Sequence, residues 1–369
     1  MATQEPFTLR WGILATGWIA SVFAKDLLTS TSAPGRNATD VRHIIQAVGA
    51  SSSQQKATDF IKKIGAPEST TAYGSYDELV NDPNVDIIYV ATPHSHHFAH
   101  TLLALNAGKH VLCEKPFTVN AAQTKILIEK AREKGVFMME AVWTRFFPLS
   151  YEIRKLVQDG TIGEVRRVWS DLSLAQNPEE TYGPGDEHRM VNRDLAGGAL
   201  LDIGVYSLLW IWQTLYHLDP ARPKPEVSAS VQKYRTGVDA EATVLLHFPT
   251  STGIASTSLR IDTDPNNTGL PCARIQGTKG EIQISHPAYK PESYTIVIKG
   301  EEEKRVEKKI EGQHGMAWEA DECARCIRDG KKESEVMGLE ESLAMMEVLD
   351  RVREIGGVKY PDSIETTQV

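Results

Sequence analysis

Three side chains stand out for the chemistry they could do together. Lys115 lies in "CEKPF" (113–117), and Asp202 and Tyr206 lie in "GGALLDIGVY" (197–206). A tyrosine phenol ionises near pH 10 and is almost wholly protonated at neutral pH. A lysine ammonium about 4–6 Å away favours the phenolate and lowers that value. Each unit so gained is worth about 1.4 kcal/mol. Such a tyrosine is expected to take the hydroxyl proton of an alcohol while a hydride leaves the same carbon for a nicotinamide. Asp202 is expected to accept a bond from a substrate hydroxyl. It is four residues from Tyr206, hence on the same face of a helix. Gly197 and Gly198, just ahead, are expected to let backbone approach a ligand. The plainer alternatives are a surface lysine before a turn and a buried tyrosine capped by a local aspartate.

An alternation of strand-like and helix-like segments must position these residues. "LRWGILA" is an apolar run into a turn, and "GWIASVFAKDLL" follows with helical spacing at Ile19, Val22, Phe23 and Leu27. "HIIQAVGA" reads as a second strand, and "QQKATDFIKKIG" as a helix stopped by Gly65. "VDIIYVAT" is a continuous apolar run, as expected of a strand covered on both faces. The helix "HFAHTLLALNAGKH", the strand "HVLCE", the helix "NAAQTKILIEKAREKG" capped by Asn120 and the strand "VFMMEA" complete the series. This order predicts an α/β, doubly wound parallel sheet of the Rossmann kind over residues 1–145. Lys115 then falls just past the end of a parallel strand, the edge where such sheets bind ligands, and Pro116 stops the strand there.

Residues 146–369 follow another pattern. After the helix "PLSYEIRKLVQDG" and the alternating "EVRRVWSDLSLA" come a polar, glycine-rich loop (176–198) and the apolar helix "ALLDIGVYSLLWIWQTLY". "EVSASVQKY", "EATVLLHF", "GIASTSLRI", "ARIQG", "GEIQI" and "SYTIVIKG" are strands joined by short turns, so a second, α+β domain with a mostly antiparallel sheet is expected. "EEEKRVEKK" reads as a solvated hairpin tip or strand edge, and two helices end the chain, "MAWEADECARCIRDG" and "LEESLAMMEVLDRVREIGG". These two are free to pack back on the first domain. The stretch 29–40 is expected to be a surface loop.

The first turn, "WGILATGWIA" (11–20), keeps one of the three glycines of a dinucleotide fingerprint. Gly17, with Thr16, Trp18 and Ile19 around it, supplies the close backbone approach to a diphosphate at a helix N-terminus. Ala20 still permits tight helix packing, whereas Ala15 requires a turn that keeps φ negative. Any strand–turn–helix would pass so degenerate a test. Its place after the first strand is what singles it out. The second strand runs into Ala50, Ser51, Ser52 and Ser53, with no carboxylate before Asp59. An NAD site usually carries a carboxylate there for the ribose hydroxyl, while serine hydroxyls, a helix N-terminus and Lys56 suit a 2′-phosphate. NADP is the expected cofactor.

Composition narrows the classes. The formal net charge of −9 argues against a nucleic-acid partner, and 41% hydrophobic residues suit packed cores. No uninterrupted apolar run is expected to span a membrane, because Asp202 breaks the longest. No signal peptide or retention address is readable, and four cysteines make no disulfide framework, so a cytoplasmic protein is expected. His96 and His100 have zinc-ligand spacing, but no carboxylate or cysteine cluster accompanies them, and no metal is expected. Cys323 and Cys326 form C-x-x-C inside a helix, where packing is the better reading than redox chemistry.

The chain resembles the glucose–fructose oxidoreductase/inositol dehydrogenase (Gfo/Idh/MocA) family over nearly its whole length. The markers are the turn at 12–20, "ATPHSHH" (91–97), "CEKPF" and "GGALLDIGVY". The family's E-K-P lysine falls on Lys115, and its D-x-x-x-H/Y motif falls on Asp202 and Tyr206. The tyrosine variant, with "MEAVWTRFFP" (139–148) and "HGMAWEADECARC" (314–326), is similar to the branch of dihydrodiol dehydrogenases and fungal NADP-dependent D-xylose dehydrogenases. Ala15 and Ala20 depart from the family's glycine-rich consensus. The resemblance implies a second domain with an open sheet, dimerisation through that sheet's exposed face, NADP as hydride carrier, and oxidation of D-xylose at the anomeric carbon to the lactone. It implies that Thr92, Pro93, His94 and His97 lie along the cofactor, with Glu114 beside Lys115. Trp143 and Arg145 would border the nicotinamide and the substrate. A trans-dihydrodiol substrate and a non-catalytic NADP-binding regulator are the alternatives.

Overall fold

The computed structural model describes residues 5–29, 36–182 and 187–368. Part of the 29–40 loop lies outside these residues. The first sheet is made of β1 (Phe7–Leu14), β2 (Val41–Gly49), β3 (Thr71–Tyr73), β4 (Ile87–Val90), β5 (His110–Glu114) and β6 (Met138–Ala141). Its order is β3-β2-β1-β4-β5-β6 and every pairing is parallel. The helices between the strands are α1 (Trp18–Leu28), α2 (Gln54–Ile64), α3 (Tyr76–Val80), α4 (His97–Asn106) and α5 (Ala121–Lys134). Gly65 and Gly135 end α2 and α5 in the left-handed conformation, and Ser53 and Asn120 cap their starts. The short β3 and α3 were not legible, because three and five residues are too few for either period to show.

After α6 (Pro148–Gln158) the chain enters an eight-stranded sheet with β7 (Val165–Asp171). The short α7 (Pro178–Thr181) precedes a helix, 200–216, whose centre is α8 (Val205–Ile211). Its two ends, Leu200–Gly204 and Trp212–Tyr216, are wound as wider π-turns. Then come β8 (Glu226–Lys233), β9 (Asp239–His247), β10 (Thr252–Ser258), β11 (Pro271–Gly277), β12 (Gly280–Ser285), β13 (Ser293–Ile298) and β14 (Lys304–Glu307). The order is β14-β13-β12-β11-β7-β10-β9-β8, antiparallel except for β7 with β10. The acidic and basic run near 304 is thus an edge strand.

α8 covers one face of this sheet against β7 and β10. The segment Arg193–Tyr216 is long and apolar enough to cross a membrane, and almost all of it is buried inside the protein. The last helices, α9 (Ala317–Arg328), α10 (Leu339–Gly356) and α11 (Asp362–Glu365), leave the second sheet. α9 packs on β1, β2 and α1, and α10 runs between β8 and α5. A buried chain of polar contacts fixes α9. Trp11 Nε1 donates to His43 Nδ1 at 3.0 Å, His43 Nε2 meets Asp321 at 2.8 Å, and Arg36 donates to Asp321 at 2.9 Å. Asp26 of α1 accepts the N–H groups of His314, Gly315 and Met316 at 2.8–2.9 Å, satisfying the start of α9.

Candidate active site

The strand order reverses between β1 and β4, and open α/β sheets bind ligands outside the carboxyl ends of strands at such a reversal. The sequence-derived segments gather there. β1 runs into the Ala15–Gly17 turn, β2 into Ser51–Ser53, β4 into Thr92–His94, β5 into Lys115 and β6 into Trp143.

Gly17 is the N-cap of α1, with no side-chain cap and no acidic residue in the first turn. A Cβ there would meet nothing within 4 Å, so the backbone fronts open space. This fits an anionic diphosphate at a helix N-terminus. Trp18 is 71% exposed beside it, and Thr16 and Ile19 are half-buried. Ala15 has φ 103, so the expected negative φ is wrong. Its N–H still reaches the Gly49 carbonyl (3.3 Å), and Ala91 N–H reaches the Leu14 carbonyl (3.1 Å). Both neighbours hold β1 in register up to the turn, so the reversal falls on Ala15 itself. A Cβ on that side costs roughly 1–2 kcal/mol, which glycine would avoid.

At the end of β2, Ser53 caps α2 by accepting Lys56 N–H at 3.3 Å. Ser51, Ser52 and Lys56 are exposed around it. Hydroxyls, a helix N-terminus and a cation without a carboxylate suit a 2′-phosphate. Beside Ser51 opens a cavity of about 610 Å³ walled by Tyr76, Thr92, Pro93, His96 and His100. Tyr76 meets His100 edge-on at 4.8 Å, and His96 lies over His100 at 5.5 Å. Tyr76 had no signal in the sequence, since α3 itself had none.

At the β5 edge, Lys115 Nζ donates to the Asp202 carbonyl at 2.6 Å and lies 3.6 Å from Asp202 Oδ1. It sits 5.1 Å from the centre of the Tyr206 ring. The structure therefore brings together the three residues, Asp202 from the π-wound start of the 200–216 helix and Tyr206 from the first turn of α8. His94 Nε2 is 3.5 Å from Asp202 Oδ1, and Arg189 donates to that oxygen at 2.9 Å. Trp143 Nε1 donates to the Tyr206 oxygen at 2.8 Å, and the Trp143 ring lies parallel to Tyr289 at 6.1 Å. Arg189 and Tyr289 carried no spacing signal. Arg189 lies in the polar loop and Tyr289 in a turn.

The electrostatics correct the opening expectation. Burial, then the Glu114 carboxylate, then Asp202 and Glu319 push the Tyr206 phenol well above its ordinary value. Only the Trp143 N–H bond pulls it down among the leading influences. Lys115 faces the ring and spends its hydrogen bond on the Asp202 carbonyl, so it does not make the phenol acidic. Burial works against the Asp202 carboxylate, but Lys115, His94 and Arg189 hold it well below the usual range. Asp202 is ionised and Tyr206 a phenol at neutral pH. Beneath them, burial raises Glu114 to about 7 while it accepts the Tyr89 hydroxyl. Glu319 of α9 is 0% exposed, and neither oxygen has a partner among the described residues. Burial, Glu114 and Asp26 push it well above a normal carboxyl.

Four assignments change. Arg145 does not border the pocket, because its side chain is 0% exposed and its guanidinium pairs with Glu341 at 2.6 Å. His217 shares that carboxylate at 2.8 Å, so Arg145 ties the first sheet's exit to α10 and the 200–216 helix. His97 is 1% exposed, with its ring nitrogens 2.8 Å from the Pro116 carbonyl and 2.9 Å from that of Thr92. It clasps two loops instead of facing the cleft. Gly197 admits the chain's own backbone and Gly198 the Asp239 carboxyl, not a ligand. A Cβ on Gly197 would sit 2.6 Å from the Arg189 carbonyl, and one on Gly198 would sit 2.3 Å from Asp239 Oδ1. Asp239 in turn accepts Leu200 N–H at 2.6 Å.

Fold and cleft together define a nucleotide-dependent oxidoreductase of the GFO/IDH/MocA class, and the chain belongs to that family. Residues 9–142 match the family described as "Oxidoreductase family, NAD-binding Rossmann fold", and residues 151–283 match its C-terminal domain. A D-xylose 1-dehydrogenase (NADP(+)) from Hypocrea jecorina is 53% identical, over 99% of this chain and 96% of that one. Human trans-1,2-dihydrobenzene-1,2-diol dehydrogenase is 37% identical, over 96% of this chain and 98% of its own. Among solved structures, an aldose-aldose oxidoreductase from Caulobacter crescentus shares the fold with a TM-score of 0.77 at 24% identity, covering 95% of this chain and 98% of that one.

Proposed function

We propose that this protein oxidises D-xylose at its anomeric carbon to the lactone, with NADP as hydride acceptor. The observation that carries the reading is the meeting of Lys115, Asp202 and Tyr206 at the carboxyl edge of the nucleotide sheet, in a chain so close to a D-xylose dehydrogenase. Gly17 and the start of α1 hold the diphosphate, and Ser51, Ser52, Ser53 and Lys56 hold the 2′-phosphate. The cavity walled by Tyr76 and His100 would hold the adenine. Thr92, Pro93 and His94 line the stretch between adenine and Lys115. Bound NADP supplies the hydride acceptor and, oxidised, a positive charge at the site.

As hydride is lost from C1, the O–H bond of the C1 hydroxyl breaks and its proton passes to the Tyr206 oxygen, leaving a C1 carbonyl. Tyr206 must first shed its own proton, which Trp143 assists by donating to the same oxygen. Asp202 accepts a neighbouring sugar hydroxyl, and Lys115 fixes the Asp202 backbone. Trp143 closes the floor. A trans-dihydrodiol is the second reading, favoured by the 37% identity to dihydrodiol dehydrogenases. NADPH formation, followed at 340 nm over a panel of pentoses, hexoses and trans-dihydrodiols, separates the two. The proposal expects D-xylose to give the highest kcat/KM, and a preference for dihydrodiols reverses it.

The protein works as a homodimer through the open face of the second sheet. Leu245, Ile254 and Trp169 form an apolar row across β9, β10 and β7 on the side opposite α8. Four unpaired, buried cysteines support a reducing, cytoplasmic setting. Cell fractionation tests that placement.

A further inference from the structure

Arg189 is held where chemistry would use it, in a loop with no such signal in its sequence. Gly198 N–H donates to the Met190 carbonyl at 2.8 Å, and Val191 N–H donates to the His188 carbonyl at 2.9 Å. Gly197 leaves the room that lets this turn lie against the start of the 200–216 helix. His188 stacks on Tyr182 at 3.8 Å, anchoring the turn from outside. The Arg189 side chain is still 57% exposed, and that of Asp202 is 12% exposed. The pair reaches solvent on the Arg189 side and is not sealed in the core.

The two oxygens of Asp202 are unequal. Oδ1 receives Arg189 Nη1 at 2.9 Å and has His94 at 3.5 Å and Lys115 at 3.6 Å. Oδ2 has only Arg189 Nη2, at 3.4 Å, among the described residues. Oδ2 therefore keeps lone-pair capacity for a further donor. The guanidinium, with five N–H donors, keeps N–H groups for an acceptor. A hydroxyl donates and accepts at a single atom, which is what such a pair of groups asks for.

We propose that Arg189 is a specificity-determining residue for vicinal diols. Its guanidinium and Asp202 Oδ2 together bind the hydroxyl on the carbon next to the one oxidised. That hydroxyl donates to Oδ2 and accepts from Arg189, while its neighbour gives its proton to Tyr206. The inference rests on the dehydrogenase reading above. D-xylose carries such a hydroxyl at C2, and a trans-1,2-diol carries one beside the carbon that reacts.

The test is a two-by-two comparison of wild type and Arg189→Met on D-xylose and its 2-deoxy analogue, with kcat and KM measured separately. Hydrogen bonds involving charged groups are worth about ten- to a hundredfold. Wild type should prefer D-xylose by about that factor. Arg189→Met should lose it on D-xylose, mainly through KM, yet handle the 2-deoxy sugar within about threefold of wild type. Arg189→Lys should recover part of the loss. NADPH affinity, read by fluorescence, should be the same in all three proteins. Equal losses on both sugars, or no loss on D-xylose, would overturn the inference while leaving the dehydrogenase reading intact. Wild type inert towards every diol would overturn both.

Discussion

Tyr206 sets the terms at the scale of single residues. Its phenol is raised by burial and by the Glu114, Asp202 and Glu319 carboxyls, so the base form becomes available only as pH climbs. Sugar oxidation at saturating substrate should therefore speed up from neutral pH into the alkaline range. Tyr206→Phe should lower kcat by roughly 10²–10⁴-fold, the usual worth of a positioned proton acceptor, and flatten that rise. A variant retaining the alkaline rise would show that another group takes the proton. Lys115, Asp202 and Tyr206 were legible because strand ends and helical spacing locate them, whatever lies around them. The direction of the Tyr206 shift was not legible. It depends on burial, on Glu114 and Glu319, which come from elements far apart in sequence, and on which way the lysine points. Arg189 was hidden for a related reason, since only the folded turn at 188–198 carries it to Asp202.

Among the elements, α9 carries an acid that belongs to neither catalysis nor solvent. Glu319 has a folded-state value well above that of an unfolded glutamate, as do Glu114 and Glu140, each at about 7, and Asp239 at about 6. Such groups favour the folded state most below the unfolded glutamate value. That support fades as pH rises towards the folded one, because the unfolded chain gives up the proton first. Glu341, held at about 2 with Arg145 and His217 beside it, acts in the opposite sense and fails only in acid. Glu319→Gln keeps the neutral shape without the proton. Its melting temperature relative to wild type should be unchanged near pH 4 and climb steadily to pH 8. A gap independent of pH would mean that Glu319 is ionised in the fold. The long elements were readable from period and caps. The π-turns of 200–216 were not, because nothing in the apolar pattern distinguishes a slightly wider winding from an ordinary helix.

Two surfaces decide how the whole molecule is completed. The outer row of Leu245, Ile254 and Trp169 leaves an apolar face uncovered, and the proposed twofold pairing of identical sheets would cover it. Light scattering should give a mass twice that of the chain, and Trp169→Glu should shift it towards the monomer. A wild-type monomer at micromolar concentration would end the dimer reading. The other surface is internal. The face of the nucleotide sheet over β1 and β2 is closed by α9, whose residues come almost last in the chain. During synthesis, every strand of that sheet leaves the ribosome before α9, the last helix to cover this face, exists. The nucleotide domain thus waits, one side covered only by α1 and α2, for nearly two hundred further residues, roughly ten seconds or more at common translation rates.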